Sequence, residues 1–98
     1  MEFVWDEKEN LENIRKHGIA FEDVTDMFNH PMLVYLDTRH DYGEDRWIGI
    51  GLLQTIIAVA VYVEWDNEET VRIISARKAT SYERKEFFKR IPHGLEPA

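Results

Sequence analysis

Ile56-Ile57-Ala58-Val59-Ala60-Val61-Tyr62-Val63 is the longest apolar run of the chain. It is far shorter than the ~20 residues a membrane span needs. Apolar at odd and even positions alike, it predicts a central strand with helices packed on both faces. Working outward, Arg46 to Gly51 alternates around Trp47, Ile48 and Ile50 and reads as a strand, joined by a tight connection near Leu52–Thr55. On the other side Asp66-Asn67-Glu68-Glu69 reads as a turn and Thr70 to Ala76 as a further strand. Met32 to Leu36 is apolar and of strand length, and the polar stretch Asp37 to Asp45 after it reads as a loop.

The flanks read as helices. Asp6 stands as an N-cap with Glu9 three positions on, the spacing of a capping box. Residues 7–17 form the predicted helix, with Leu11 and Ile14 on its apolar face, Lys16 and His17 in its last turn, and Gly18 as its stop. Phe21, Val24, Met27 and Phe28 mark the stripe of a second helix, ended by Pro31. Phe3-Val4-Trp5 is a short first strand. Thr80 with Glu83 repeats the capping box and opens a third helix to about Arg90; Pro92 and Gly94 end it, and Leu95 to Ala98 fray. The order is β-α-α-β-β-β-β-α. Short links between consecutive strands make antiparallel pairs. The expectation is an α+β fold: an antiparallel sheet of four to five strands with two N-terminal helices and one C-terminal helix. No linker or repeat divides the chain, so residues 1–98 are expected to form a single domain.

Composition narrows the functional classes. Of the 98 residues 44% are hydrophobic and 12% aromatic, which excludes a disordered chain. There is no cysteine, so thiolate metal sites and cysteine nucleophiles are excluded. With no basic-then-apolar leader at Met1–Asp6, a cytoplasmic protein away from the membrane is expected. The net charge of −7 alone argues against a dedicated nucleic-acid binder. Its distribution is less hostile: residues 1–30 hold eight carboxylates against three basic groups, whereas residues 72–93 hold seven basic groups against two acidic ones. An acidic chain can present one basic face.

Three blocks stand out together. They are Phe3-Val4-Trp5-Asp6 with Asn13-Ile14-Arg15-Lys16-His17-Gly18; Asp37-Thr38-Arg39-His40 with Glu44-Asp45-Arg46 and Trp47-Ile48-Gly49; and Arg72-Ile73-Ile74-Ser75-Ala76-Arg77-Lys78-Ala79 with Glu83 behind it. In this order the chain resembles the BrnT toxin family of type II toxin–antitoxin systems, over roughly residues 3–88. The resemblance implies a RelE-like fold, ribonuclease activity that blocks translation, and no required metal or other cofactor. It also implies a small antitoxin of ribbon-helix-helix type (BrnA-like), through which alone the complex contacts operator DNA. Family members often carry an arginine after the central strand and a tyrosine on the last helix; Trp65 and Phe87-Phe88 stand there in this chain. An alternative reading is therefore a weak or inactive homologue that serves as an antitoxin-binding co-repressor subunit.

Metal-free RNA cleavage needs a base for the 2′-hydroxyl, an acid for the leaving oxygen, and cations for the phosphorane. The three blocks supply candidates. Lys16, His17, His40, Glu44 and Arg77 are the catalytic candidates; Arg46, Arg72 and Lys78 are the RNA-binding ones. Each also has a structural reading. Lys16 and His17 complement a helix dipole, His40 and Glu44 sit in a solvated loop, Arg77 can pair with Glu83 or Glu86, and Arg46 and Arg72 are strand residues facing solvent. Trp65 is the best candidate for base stacking or for an interface. Asp37, His40 and Asp41 match no strong metal-ligand spacing.

Overall fold

The computed structural model describes residues 1–91. Along the chain run β1 (Glu2–Val4), α1 (Glu7–His17), α2 (Phe21–Val24) continuing into a 3-10 turn (Thr25–Asn29), β2 (Met32–Leu36), β3 (Trp47–Leu53), β4 (Ile56–Trp65), β5 (Thr70–Lys78) and α3 (Ser81–Arg90). The predicted order of elements holds. The predicted helix end at Pro92 and Gly94 and the fraying of Leu95–Ala98 lie outside the described residues.

The strands form one sheet of order β1-β5-β4-β3-β2, with β4 in the middle. The pairs β2–β3, β3–β4 and β4–β5 are antiparallel, as their short connections require. β1 differs from expectation. It lies parallel to β5, Phe3 opposite Val71, so the sheet is mixed rather than antiparallel. The chain between these two strands includes every other strand and two helices, so no hairpin constrains their direction.

Both faces of β4 are buried, as its sequence predicts. Ala58, Ala60 and Tyr62 join Phe21, Val24, Met27, Val71, Ile73 and Ala76 under the N-terminal helical segment. Ile57 and Val59 join Ile48, Ile50 and Phe87 under α3. Phe21 and Phe87 are completely buried, and each contributes about 1.5–3 kcal/mol through that burial. Phe28 meets Phe3 and Tyr62 with ring centroids 5.1 and 5.0 Å apart. β3 crosses β2 closely: a Cβ at Gly51 would lie 2.7 Å from Met32 Cγ, which explains a strand position without a side chain.

α1 starts and stops where predicted but buries a different face. Asp6 accepts a hydrogen bond from Glu9 N–H (3.0 Å), and Gly18, at φ 70°, donates to Ile14 C=O (2.8 Å). The Glu9 carboxylate does not close the box; it accepts from Arg72 Nη2 at 2.9 Å. Leu11 and Ile14, read as the apolar face, are exposed, whereas Asn10 and Asn13 are buried. The reason is the edge of the sheet. β1 pairs only with Thr70–Arg72, and α1 runs beside the rest of β5. Asn13 Oδ1 accepts from Ala76 N–H (3.0 Å), its Nδ2 donates to Ile19 C=O (2.8 Å), and Asn10 Oδ1 accepts from Phe21 N–H (2.8 Å). Polar side chains are buried here because backbone groups at the sheet edge need partners.

Candidate functional site

α3 covers only part of its face of the sheet. The uncovered part is the floor of an open cavity of about 390 Å³, built from Tyr35, Ile48, Val59, Val61, Ser75 and Arg77 of four adjacent strands. The segment Leu36–Arg39 beyond β2 and His17 at the end of α1 form its walls.

A β-bulge aims Arg77 at this cavity. In β5, Ile73 pairs with Tyr62 and Ser75 with Val61, leaving Ile74 as the extra residue. Strand side chains alternate between faces, so one inserted residue reverses the alternation beyond it. Val71 and Ile73 therefore join the core under the N-terminal segment, yet Ser75 and Arg77 point to the other face, Arg77 opposite Val59.

Glu83 holds the Arg77 guanidinium. Nη1 donates to Oε1 (2.7 Å), Nη2 donates to Oε2 (2.9 Å), and Nη1 also donates to Lys78 C=O (3.2 Å). The predicted capping box at Thr80 is complete: Glu83 N–H donates to Thr80 Oγ1 (3.1 Å), and Thr80 N–H donates to Glu83 Oε1 (2.8 Å). One carboxylate thus starts α3 and orients Arg77. These contacts, Arg77 foremost, bring the Glu83 carboxyl down from 4.5 to about 2, and the pair keeps Arg77 firmly charged. A lowered carboxyl pKa adds stability above the unfolded value and loses it as pH falls through the folded one. The contribution of Glu83 is therefore full above pH 4.5 and disappears toward pH 2. Glu83→Gln is expected to flatten that part of the acid-unfolding curve, followed by urea titrations across the range; an unchanged slope would exclude Glu83 as a source of acid lability.

Arg39 also lines the cavity, with Asp37 as its anchor. The Asp37 carboxylate is buried and accepts from Arg39 N–H (3.1 Å), Nε (2.9 Å) and Nη2 (2.8 Å), and from Tyr42 Oη (3.3 Å). These donors, the Arg39 side chain foremost, hold the Asp37 carboxyl well below the usual range.

The eight sequence candidates are distributed as follows. His17 and Arg77 share the cavity. Lys16 pairs with Glu12 at 3.5 Å and lines a neighbouring cleft together with His17 and Ser75. His40 and Glu44 are exposed on the loop beside the cavity, in a depression that shares Leu36, Asp37 and Thr38 with it; the His40 ring meets Tyr42 edge-on at 5.6 Å. The Arg46 guanidinium lies over the Tyr42 ring, 4.0 Å from its centroid, and its buried Nε has no hydrogen-bond partner among the described residues. Arg72 is tied to Glu9. Lys78 lines a separate cleft with Ala79, Arg84 and Phe88. Arg46, Arg72 and Lys78 thus stand outside the cavity wall. Trp65 is half-exposed at the far end of β4.

Tyr35, Ser75 and Arg39 are cavity residues that the sequence reading passed over. Arg39 carried a usable signal: an aspartate at the end of an apolar strand with an arginine two residues on. Ser75 and Tyr35 carried none, since the face of Ser75 depends on the bulge and Tyr35 reaches the cavity only through the pairing of β2 with β3. Asp37, weighed as a metal ligand, is committed to Arg39 and Tyr42, and among the described residues no three His, Asp or Glu side chains cluster to hold a metal ion.

Two anchored guanidiniums, Arg39 and Arg77, thus line one cavity. The family model of the ribonuclease toxin BrnT of type II toxin–antitoxin systems matches residues 5–83, which span α1, every strand from β2 to β5, and Glu83. The chain belongs to this family of ribonuclease toxins. No curated protein matches it. Among the described residues no helix is long and apolar enough to cross a membrane.

Proposed function

We propose that the chain is a metal-independent endoribonuclease of RelE-like type that arrests translation in the cytoplasm and is neutralised by a cognate ribbon-helix-helix antitoxin. The observation that carries this reading is the meeting of His17 and Arg77 in one open cavity. His17 exchanges protons: it takes the 2′-hydroxyl proton as the oxygen attacks the adjacent phosphorus, or returns a proton to the departing 5′-oxygen. The bond formed is 2′-O–P and the bond broken is P–O5′, which leaves a 2′,3′-cyclic phosphate and a 5′-hydroxyl. Arg77 meets the charge that grows on the phosphorane, and because Glu83 already fixes it, little reorganisation accompanies the reaction. Lys16, from the neighbouring cleft, and His40 and Glu44, from the adjoining loop, are placed to meet the RNA strand on either side. The antitoxin occludes this face and carries the contacts to operator DNA.

One observation favours a second reading, a co-repressor subunit with little activity. Phe87 is wholly buried and Trp65 lies away from the cavity, so neither position adds a polar group to it. Purified protein incubated with RNA in EDTA separates the two. Fragments ending in 2′,3′-cyclic phosphate, with growth arrest on expression without the antitoxin, are the expected result. Intact RNA together with normal growth would favour the co-repressor, and cleavage restored only by a divalent ion would remove metal independence.

A further inference from the structure

We infer that Arg39 is a second phosphate-binding residue of the cavity, pre-set by the buried Asp37 carboxylate. The inference rests on the ribonuclease reading for its substrate class, and on side-chain geometry for the rest.

Asp37 has no exposed side-chain surface, whereas the Arg39 side chain is 64% exposed. A carboxylate taken out of water must be compensated by hydrogen bonds and charge. Asp37 receives both, from one backbone N–H, two guanidinium N–H groups and a tyrosine hydroxyl. Arginine has five side-chain N–H donors. Two are spent on Asp37, and the Tyr42 hydroxyl neighbours the same guanidinium, which leaves donors over for a ligand. The guanidinium is thus fixed along one edge and open along the other, as Arg77 is fixed by Glu83. Such a fork suits a phosphate, whose oxygens accept paired donors.

The two forks approach from opposite sides. Arg39 follows the end of β2, and Arg77 lies on β5; β3 and β4 separate these strands in the sheet. Three strand spacings amount to roughly 14 Å, so the anchored guanidiniums stand on the two flanks of the cavity. The floor between them is apolar, from Ile48, Val59 and Val61. A phosphodiester resting there meets a donor edge on each flank. Each arginine is matched by its own carboxylate, so the cavity grips through oriented donors rather than through surplus charge. That suits a chain of net charge −7. Asp37 acts through Arg39 and is a positioning residue.

The test is fluorescence anisotropy of the full chain with a labelled 2′-O-methyl RNA oligonucleotide, which binds without being cut, alongside cleavage of unmodified RNA. Arg39→Ala is expected to weaken oligonucleotide binding about tenfold or more. Because that variant strands a buried carboxylate, Arg39→Ala/Asp37→Asn is measured beside it, with thermal melting to establish that it folds. Asp37→Asn alone, which keeps Arg39 but loosens its anchor, is expected to lower kcat with a smaller change in binding. Wild-type affinity in the folded double variant would overturn the inference, and so would a wild-type chain that binds no oligonucleotide. If Arg39-dependent binding occurs but RNA stays intact, the ribonuclease reading fails while the phosphate site stands. If the folded double variant binds and cuts like wild type, the reverse holds.

Discussion

Arg77→Ala is expected to lower RNA cleavage by about 10²–10³-fold, the loss typical when one preorganised donor to a developing oxyanion is removed. The side chain is the product of three local decisions. The bulge at Ile74 turns it toward the cavity, the strand ends one residue later, and Glu83 grips both of its Nη groups. Removing it leaves the Glu83 carboxylate, 16% exposed at the side chain, without its main partner. Part of any loss of activity could then come from lost stability. Arg77→Ala/Glu83→Gln separates the two effects. The neutral glutamine can still accept from Thr80 N–H and keep α3 capped, so the double variant should melt close to wild type and yet remain as inactive as the single one. Cleavage within tenfold of wild type in that folded double variant would take Arg77 out of the chemistry.

Asn13→Ala carries the largest expected effect on stability. Asn13 is buried and satisfies two backbone groups in different parts of the fold, the Ala76 N–H of β5 and the Ile19 C=O after α1. Alanine supplies neither partner. Stranding a buried polar group costs about 1–3 kcal/mol, so the pair amounts to roughly 2–6 kcal/mol. That is a large fraction of the roughly 5–15 kcal/mol by which domains of this size are stable, and it corresponds to a fall in Tm from about 10 °C to several tens of degrees. Urea or thermal melts measure it. A loss below about 1 kcal/mol would mean that water replaces both hydrogen bonds. His17 lies four residues further along α1, and Ala76 precedes Arg77, so this one amide also sets the spacing between the two cavity residues.

Most of the framework was legible because it is local. Both N-caps, the αL glycine at the end of α1, the proline stop before β2 and the doubly apolar β4 are each written within a few residues. The long-range features were not. Nothing local in Phe3-Val4 says that its partner is β5 or that the pairing is parallel. Periodicity placed Leu11 and Ile14 inside because apolar residues usually are; the demand of a bare sheet edge for hydrogen bonds put Asn10 and Asn13 there instead. Of the cavity residues, His17 and Arg77 are the two that the sequence singles out as candidates. Arg39 and Tyr35 emerge only when four strands are laid side by side.

The last strand has a consequence for the order of assembly. β5 is the element against which β1, α1, α2 and β4 all settle, and at Thr70–Lys78 it follows all of them in the chain. A nascent polypeptide that still lacks it has an open sheet, an undocked first helix and neither Arg77 nor Glu83. Docking of β5 therefore closes the sheet, seats the first helix and completes the cavity in a single step.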